Sequence, residues 1–150
     1  MSDLSELYQE VILDHNRSPR NHGRPEGANR ESEGYNPLCG DRLTVYLRLN
    51  GERVEDIGFE GTGCAISQAS ASVMTTVVKG KTRAEVDALL DRFQKLVTGA
   101  LAPEAALEDL GDSVAMAGVS RFPSRVKCAT LGWHTVAAAL HRGDEPVSTG

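Results

Sequence analysis

The stretch "RLTVYLRLNGERVEDIGFE", residues 42–60, predicts an antiparallel hairpin, and this hairpin decides the fold class. In residues 42–50, apolar side chains alternate with polar or aromatic ones, which is typical of a strand with one buried face. Asn50-Gly51 is a strong hairpin-turn signal, and residues 52–60 form the returning strand. Val54 is out of phase with the apolar face of this strand, which indicates either a bulge or a side chain on the other face.

Helical periodicity follows the hairpin and also precedes it. Apolar residues recur at three- and four-residue spacing in residues 4–15, 64–79, 82–99 and 123–142, with one or two short helices between residues 103 and 120. The polar, Pro- and Gly-containing residues 16–34 predict a loop. We therefore expect an α+β fold, with a small antiparallel sheet of about three strands packed on one face by several helices. A single domain covers residues 1–143, and the polar tail, residues 144–150, is expected to be disordered.

Length and charge exclude several classes of function. The chain has 150 residues, enough for one compact domain, and a net charge of −5 without a basic stripe argues against nucleic-acid binding. No apolar run approaches the length of a membrane span, about 20 residues. Acidic residues interrupt the apolar stretches near the start of the chain, so a signal peptide is not expected. We expect a cytoplasmic protein with no nucleic-acid or membrane partner.

The three cysteines lie at positions that favour ligands over core residues. Their odd number cannot form a closed set of intrachain disulfides, so they are expected to be thiols. In "NPLCGDRL", residues 36–43, Cys39 occupies a turn two positions before Asp41, which pairs a soft ligand with a hard one. Cys64 and Cys128 fall well away from the apolar stripes of their predicted helices, whereas a core cysteine would lie on such a stripe. The alternative is three small buried hydrophobes.

Three thiolates and one carboxylate make four donors, the number preferred by zinc and by iron in sulfur environments. Cys64 and Cys128 lie near predicted helix starts, where the helix dipole favours thiolate over thiol. A weakly held carboxylate suits a site in which one ligand leaves during function, which is a hypothesis. No Ser-His-Asp arrangement, P-loop or GxGxxG motif indicates another enzyme class. The histidines are expected to be surface or partly packed residues: His15, His22, His134 and His141.

Three motifs carry a resemblance to a known family. "CGD", "GTGCAISQASAS" and "RVKCATLGW" resemble the U-type iron–sulfur cluster assembly proteins, the IscU, SufU and NifU-like N-terminal family, and the resemblance covers nearly the whole chain except the tail. It implies an IscU-like fold with one ligand set at an exposed end. The ligands that it implies, for a metal or a cluster, are Cys39, Asp41, Cys64 and Cys128.

The resemblance also implies a branch and a mechanism. Lys127 stands immediately before Cys128, where the scaffold branch has histidine, and the surrounding stretch looks like the SufU branch. Members of that branch bind zinc and accept sulfur from a pyridoxal-phosphate cysteine desulfurase of the SufS type. A histidine of the desulfurase would replace Cys39 on zinc, and Cys39 would take the sulfur. Arg125 is a candidate to orient Asp41 or to stabilise the thiolates.

Two other functions remain open on the sequence. In the first, the chain is a scaffold on which iron and sulfide form a transient [2Fe-2S] cluster that passes to downstream acceptor proteins. In the second, it is a structural zinc module that binds a partner without sulfur chemistry. The first predicts iron and sulfide on the protein, and the second predicts that loss of Cys39 prevents folding.

Overall fold

The computed structural model describes residues 3–141 and 147–148, with the backbone alone for residues 3–7 and 147–148. The elements in chain order are helix α1 (Asp3–Arg17), strands β1 (Arg30–Asn36), β2 (Asp41–Asn50) and β3 (Arg53–Thr62), helices α2 (Ala65–Val78), α3 (Arg83–Val97) and α4 (Pro103–Leu110), a 3-10 segment (Gly111–Arg121), helix α5 (Pro123–His141) and strand β4 (Val147–Ser148). The sheet order is β3-β2-β1-β4, with the first three strands antiparallel. Helix α5 packs on β1 and β2, and α2 packs on α5 and β3. The predicted α+β fold is confirmed.

The central hairpin is confirmed, including its bulge. The inward residues of β2 from Leu43 to Leu47 are fully buried, and they pack in one core with those of β3. The register shifts between Arg48 and Leu49, because Arg48 pairs with Asp56 whereas Leu49 pairs with Val54. The extra residue in β3 returns Val54 to the same buried core as Ile57. Of the two interpretations of Val54, the bulge is therefore correct.

Strand β1 was missed, because residues 16–34 were predicted to be a loop. Its inward positions are Ser32, Gly34 and Asn36, which are small or polar and give no apolar alternation. A Cβ at Gly34 would lie 2.0 Å from Thr135 Oγ1, so α5 packs directly against the strand at this point. The close approach of the helix replaces the large side chains that normally reveal a strand.

The predicted disordered tail, residues 144–150, lies mostly outside the described residues. Its two described residues, Val147–Ser148, form the short strand β4, where the sequence predicted disorder. This strand pairs in parallel with β1 at Gly34 and Tyr35. Of the described helices, none has the length and apolar content needed to cross a bilayer.

Helix α5 is buried on nearly all sides, which makes its apolar stripe a poor guide to burial. Trp133 is fully buried and stacks on Phe93, with ring centroids 5.1 Å apart. Cys128, expected to lie away from the buried face, is also fully buried. The expectation was wrong because a central helix contacts other elements around its whole circumference.

His15 is buried, although a surface or partly packed histidine was expected. Its Nδ1 lies 2.7 Å from Ser72 Oγ, and the same Oγ accepts from the Arg20 backbone N–H at 2.8 Å. Since Ser72 Oγ already accepts a hydrogen bond from Arg20, its own hydroxyl hydrogen can be donated to His15 Nδ1. Burial is the main cause that lowers the pKa of His15, and burial also lowers the pKa of His134.

We expect the free energy of unfolding to fall as the pH drops below about 6.5, the ordinary histidine pKa. In this range the unfolded chain takes up protons that the folded histidines bind less readily, so acid favours unfolding. His15→Gln should remove part of this dependence, and His15→Gln combined with His134→Gln should remove more. Urea midpoints between about pH 7.5 and 5 measure the effect. An unchanged pH dependence in the double variant would contradict the assignment.

Candidate metal centre

Three chain segments meet at the end of the hairpin and bring four sulfur and oxygen donors together. Asp41 is the first residue of β2 and shares the inward face of Leu43, which is why its carboxylate is fully buried. Cys39 lies in the preceding turn and is exposed. Cys64 is the N-cap of α2, and Cys128 lies in the second turn of α5. Two donors therefore come from the β1–β2 turn and the start of β2, one comes from the start of α2 and one from α5.

Three of the four donor atoms form a close group, and the fourth, Cys64 Sγ, lies outside that group. Cys39 Sγ and Cys128 Sγ lie 3.3 Å apart, and Cys64 Sγ lies 3.9 Å from Asp41 Oδ2. The ligand atoms of Cys39, Asp41 and Cys128 all lie within 4.8 Å of one another. For zinc–sulfur bonds of about 2.3 Å, a tetrahedral site places sulfurs about 3.8 Å apart. The chemistry of the four donors fits zinc, or iron in a sulfur environment, and three of them lie close enough to share one ion.

Asp41 is held in place by hydrogen bonds from neighbouring groups. Its Oδ1 accepts from the Cys64 backbone N–H at 2.8 Å, and its Oδ2 accepts from Asn36 Nδ2 at 3.3 Å. Gly63 approaches the same carboxylate, since a Cβ at this position would lie 2.4 Å from Asp41 Oδ1. Sequence reasoning missed Asn36 and Gly63 as site residues. The "GTGC" turn was a visible signal for Gly63, whereas Asn36 becomes visible only once β1 is known.

The two helical cysteines differ in their electrostatics. Cys64 Sγ accepts from the Ser67 backbone N–H at 3.4 Å, as expected for a cysteine at a helix start. Cys128 lies deeper in α5 and close to the Ser124 carbonyl oxygen, at 3.7 Å. Burial is the main cause that raises the pKa of the Cys128 thiol. Burial therefore opposes the thiolate form that a helix start was expected to favour at Cys128.

Arg125, the sequence's candidate for an orienting role, lies about one turn before Cys128 in α5. It is exposed in the first turn of α5. Negative charge on Cys64 is the main cause that raises the pKa of Arg125, and Cys128 acts in the same direction. Within the described residues, the donor group that could hold a metal contains no histidine. His134, on the same helix as Cys128, contacts Gln94, with Nε2 atoms 3.2 Å apart.

Comparison with known sequences gives one consistent family. The pattern of the NifU-like N-terminal domain matches residues 7–139. An iron–sulfur cluster assembly scaffold protein IscU from Streptococcus pyogenes serotype M1 is 40% identical over 142 residues, which cover 95% of this chain and 87% of that protein. The zinc-dependent sulfurtransferase SufU of Bacillus subtilis strain 168 is 43% identical over 145 residues, which cover 95% of this chain and 92% of that protein.

Solved structures agree with the sequence comparison. A crystal structure of a hypothetical protein superposes with a TM-score of 0.84 at 40% identity, and the match covers 92% of this chain and 99% of that one. A Fervidobacterium islandicum AW-1 protein assigned as an iron–sulfur cluster assembly scaffold for the SUF system gives a TM-score of 0.80 at 36% identity. That match covers 90% of this chain and 97% of the other.

Proposed function

The chain belongs to the family of the NifU-like N-terminal domain, and we propose that it acts in iron–sulfur cluster assembly as a zinc-dependent sulfur acceptor. The observation that carries the proposal is the unequal exposure of its donors. Cys39 is exposed, whereas Asp41 and Cys128, within 4.8 Å of it, are buried. One accessible thiol held against a buried donor set is suited to meet a partner's sulfur while the other donors stay in place. The similarity to a zinc-dependent sulfurtransferase supports the proposal.

Zinc is the resident metal in this proposal, and its ligands would be Cys39, Asp41, Cys64 and Cys128. When bound, zinc supplies positive charge that keeps thiols deprotonated near neutral pH. The chain's own groups prepare the same chemistry. Asp41 is held by the Cys64 backbone N–H, and the positive charge of Arg125 interacts with the cysteines.

The sulfur donor is the persulfide on a cysteine desulfurase of the SufS type. The Cys39 thiolate attacks the outer sulfur of this persulfide. A bond forms between Cys39 Sγ and the outer sulfur while the partner's sulfur–sulfur bond breaks, and the partner cysteine leaves as a thiolate with the bonding electron pair. The persulfide proton stays with the transferred sulfur, so no oxidant or reductant is consumed. The Cys39 persulfide then passes its sulfur to a downstream scaffold or acceptor protein.

Arg125 is proposed to act as a positioning residue in this transfer, through its positive charge beside the sulfurs. Arg125→Ala is expected to slow sulfur transfer about tenfold, because the positive charge of Arg125 favours the thiolate form of Cys39, which is the nucleophile. Arg125→Lys should retain part of the rate, since it keeps the charge but loses the planar fork. Arg121→Ala is the matched control, because Arg121 is also exposed but belongs to the 3-10 segment. Equal rates for the Arg125→Ala and Arg121→Ala variants would contradict the role.

A second candidate function is the scaffold on which a [2Fe-2S] cluster is built. The same four side chains could hold two irons and two sulfides as substrates, and the similarity to the Streptococcus pyogenes scaffold protein favours this alternative. A third candidate, the structural zinc module, has no sulfur chemistry. The exposed position of Cys39 speaks against it, because a purely structural site would be expected to enclose its ligands.

Metal and acid-labile sulfide per chain, on protein purified without oxygen and without added metal, test the proposal. About one zinc per chain without sulfide is the expected result for a four-coordinate site. Stimulation of a cysteine desulfurase by the zinc form then separates the sulfur acceptor from the structural module. Iron with matching sulfide would overturn the proposal in favour of the scaffold.

A further inference from the structure

Asn36 is the last residue of β1, and its side chain joins two donors of the metal centre. It pairs with Asp41 across the β1–β2 hairpin, and both residues are fully buried. Asn36 Nδ2 donates to Asp41 Oδ2 at 3.3 Å and to Cys128 Sγ at 3.5 Å. One amide group therefore connects a donor of the hairpin with a donor of helix α5.

The orientation of this amide is set by the donors of the site. Asn36 Oδ1 is buried and has no hydrogen-bond partner among the described residues, which is costly for a buried acceptor. The flipped amide would place Oδ1 against the Asp41 carboxylate and the Cys128 sulfur, where acceptor would face acceptor. In the observed orientation Oδ1 has no hydrogen-bond partner among the described residues, but the NH₂ group donates to two groups that carry negative charge when they bind a metal.

Cys39, the donor in the turn between β1 and β2, is not held by Asn36. Cys39 is exposed, and within the described residues the side-chain hydrogen bonds of Asn36 run to Asp41 and Cys128 and not to Cys39. We infer that Asn36 is a positioning residue that clamps Asp41 and Cys128 together and leaves Cys39 as the ligand free to move. This inference rests on the proposed function and deepens it, because it states which ligands stay when Cys39 takes sulfur.

Zinc affinity of the full chain tests the inference. Asn36→Ala is expected to weaken zinc binding about 10- to 100-fold, the usual cost of losing a partner that orients metal ligands. Competition with a chromophoric chelator measures the affinity, and the visible absorption of the Co²⁺-substituted protein reports the ligand geometry. Asn36→Ser, whose shorter side chain keeps a buried hydroxyl but cannot span the two donors, is measured in parallel. It is expected to lose zinc affinity to a similar degree, and it provides the test if the alanine variant does not fold.

Ser70→Ala is the matched control for a purely structural effect. Ser70 Oγ donates to the Ala129 carbonyl oxygen at 2.6 Å, so it links α2 to α5 next to Cys128 without contacting a donor. This variant is expected to lose stability, to keep its zinc affinity within about threefold and to keep the wild-type Co²⁺ spectrum. The Asn36→Ala loss should also persist at the same fold-change in a Cys39→Ala background, because the clamp does not involve Cys39.

The outcomes separate this inference from the proposed function. A wild-type chain that binds neither zinc nor Co²⁺ would overturn the metal site itself, and the clamp with it. A wild-type chain that binds zinc, with both Asn36 variants retaining its affinity and Co²⁺ spectrum, would overturn the clamp alone. If Asn36→Ala and Ser70→Ala have the same melting temperature and lose the same zinc affinity, Asn36 has only a structural role.

Discussion

Cys39→Ala is expected to lower the stimulation of a cysteine desulfurase by at least about 100-fold while the protein stays folded. The substitution removes the nucleophile, and the hydrogen-bonded anchors of Asp41 remain. Because Cys39 is exposed, the free energy of unfolding should change by no more than about 0.5 kcal/mol. Alanine released from cysteine by the desulfurase measures the activity, and a urea melt measures the fold.

Leu38→Ala is the control for this experiment. Leu38 is 65% exposed in the same turn, so its replacement alters the turn's surface without removing a thiol. We expect it to keep sulfur transfer within about threefold of wild type. A folded Cys39→Ala variant that still stimulates the desulfurase like wild type would contradict the acceptor role. An unfolded variant would favour the structural zinc module.

Gly63→Ala is expected to damage both the fold and the metal centre. Gly63 has a φ of +149°, and a Cβ would lie 2.4 Å from Asp41 Oδ1 and 2.9 Å from Asp41 Cα. The backbone atom cannot move aside as a flexible side chain would, so Asp41 must shift. We expect a loss of about 2–4 kcal/mol in the free energy of unfolding. Zinc affinity should fall at least about tenfold, because the shifted carboxylate no longer faces the sulfurs.

Gly51→Ala provides the comparison for Gly63→Ala. Gly51, in the turn between β2 and β3, also has a positive φ, +60°, but a Cβ there would meet nothing within 4 Å. Its replacement should cost about 1–2 kcal/mol of backbone strain and leave zinc affinity unchanged. A Gly63→Ala protein that binds zinc as tightly as the Gly51→Ala protein would show that Gly63 does not hold Asp41 in place.

The predictable parts of the fold are those with local signals. The β2–β3 hairpin has alternating burial and an Asn-Gly turn, and even its bulge is visible in the phase of Val54. Strand β1 has no such signal, because α5 approaches it so closely that its inward residues stay small. The burial of Cys128 was likewise hidden, since helix periodicity describes one face of a helix and α5 is covered on nearly all of them.

The candidate donors could be chosen from the sequence, and the structure groups three of them, whereas their surroundings could not be predicted. Cys39 and Asp41 are neighbours in the chain, but Cys64 and Cys128 reach them only through tertiary packing. The partners that fix the donors depend on strand register and helix contact. Asn36 is an example, because its role follows from facing Asp41 in a strand that the sequence does not reveal. Residues that act through a neighbour leave little trace in composition or spacing.

The location of the transferred sulfur tests the central claim most directly. The zinc-loaded full chain is incubated with a cysteine desulfurase and cysteine, its thiols are trapped by alkylation, and its peptides are analysed by mass spectrometry. We expect one added sulfur on Cys39 and none on Cys64 or Cys128. A protein that stimulates the desulfurase but carries the added sulfur on Cys64 or Cys128, or carries none, would contradict it.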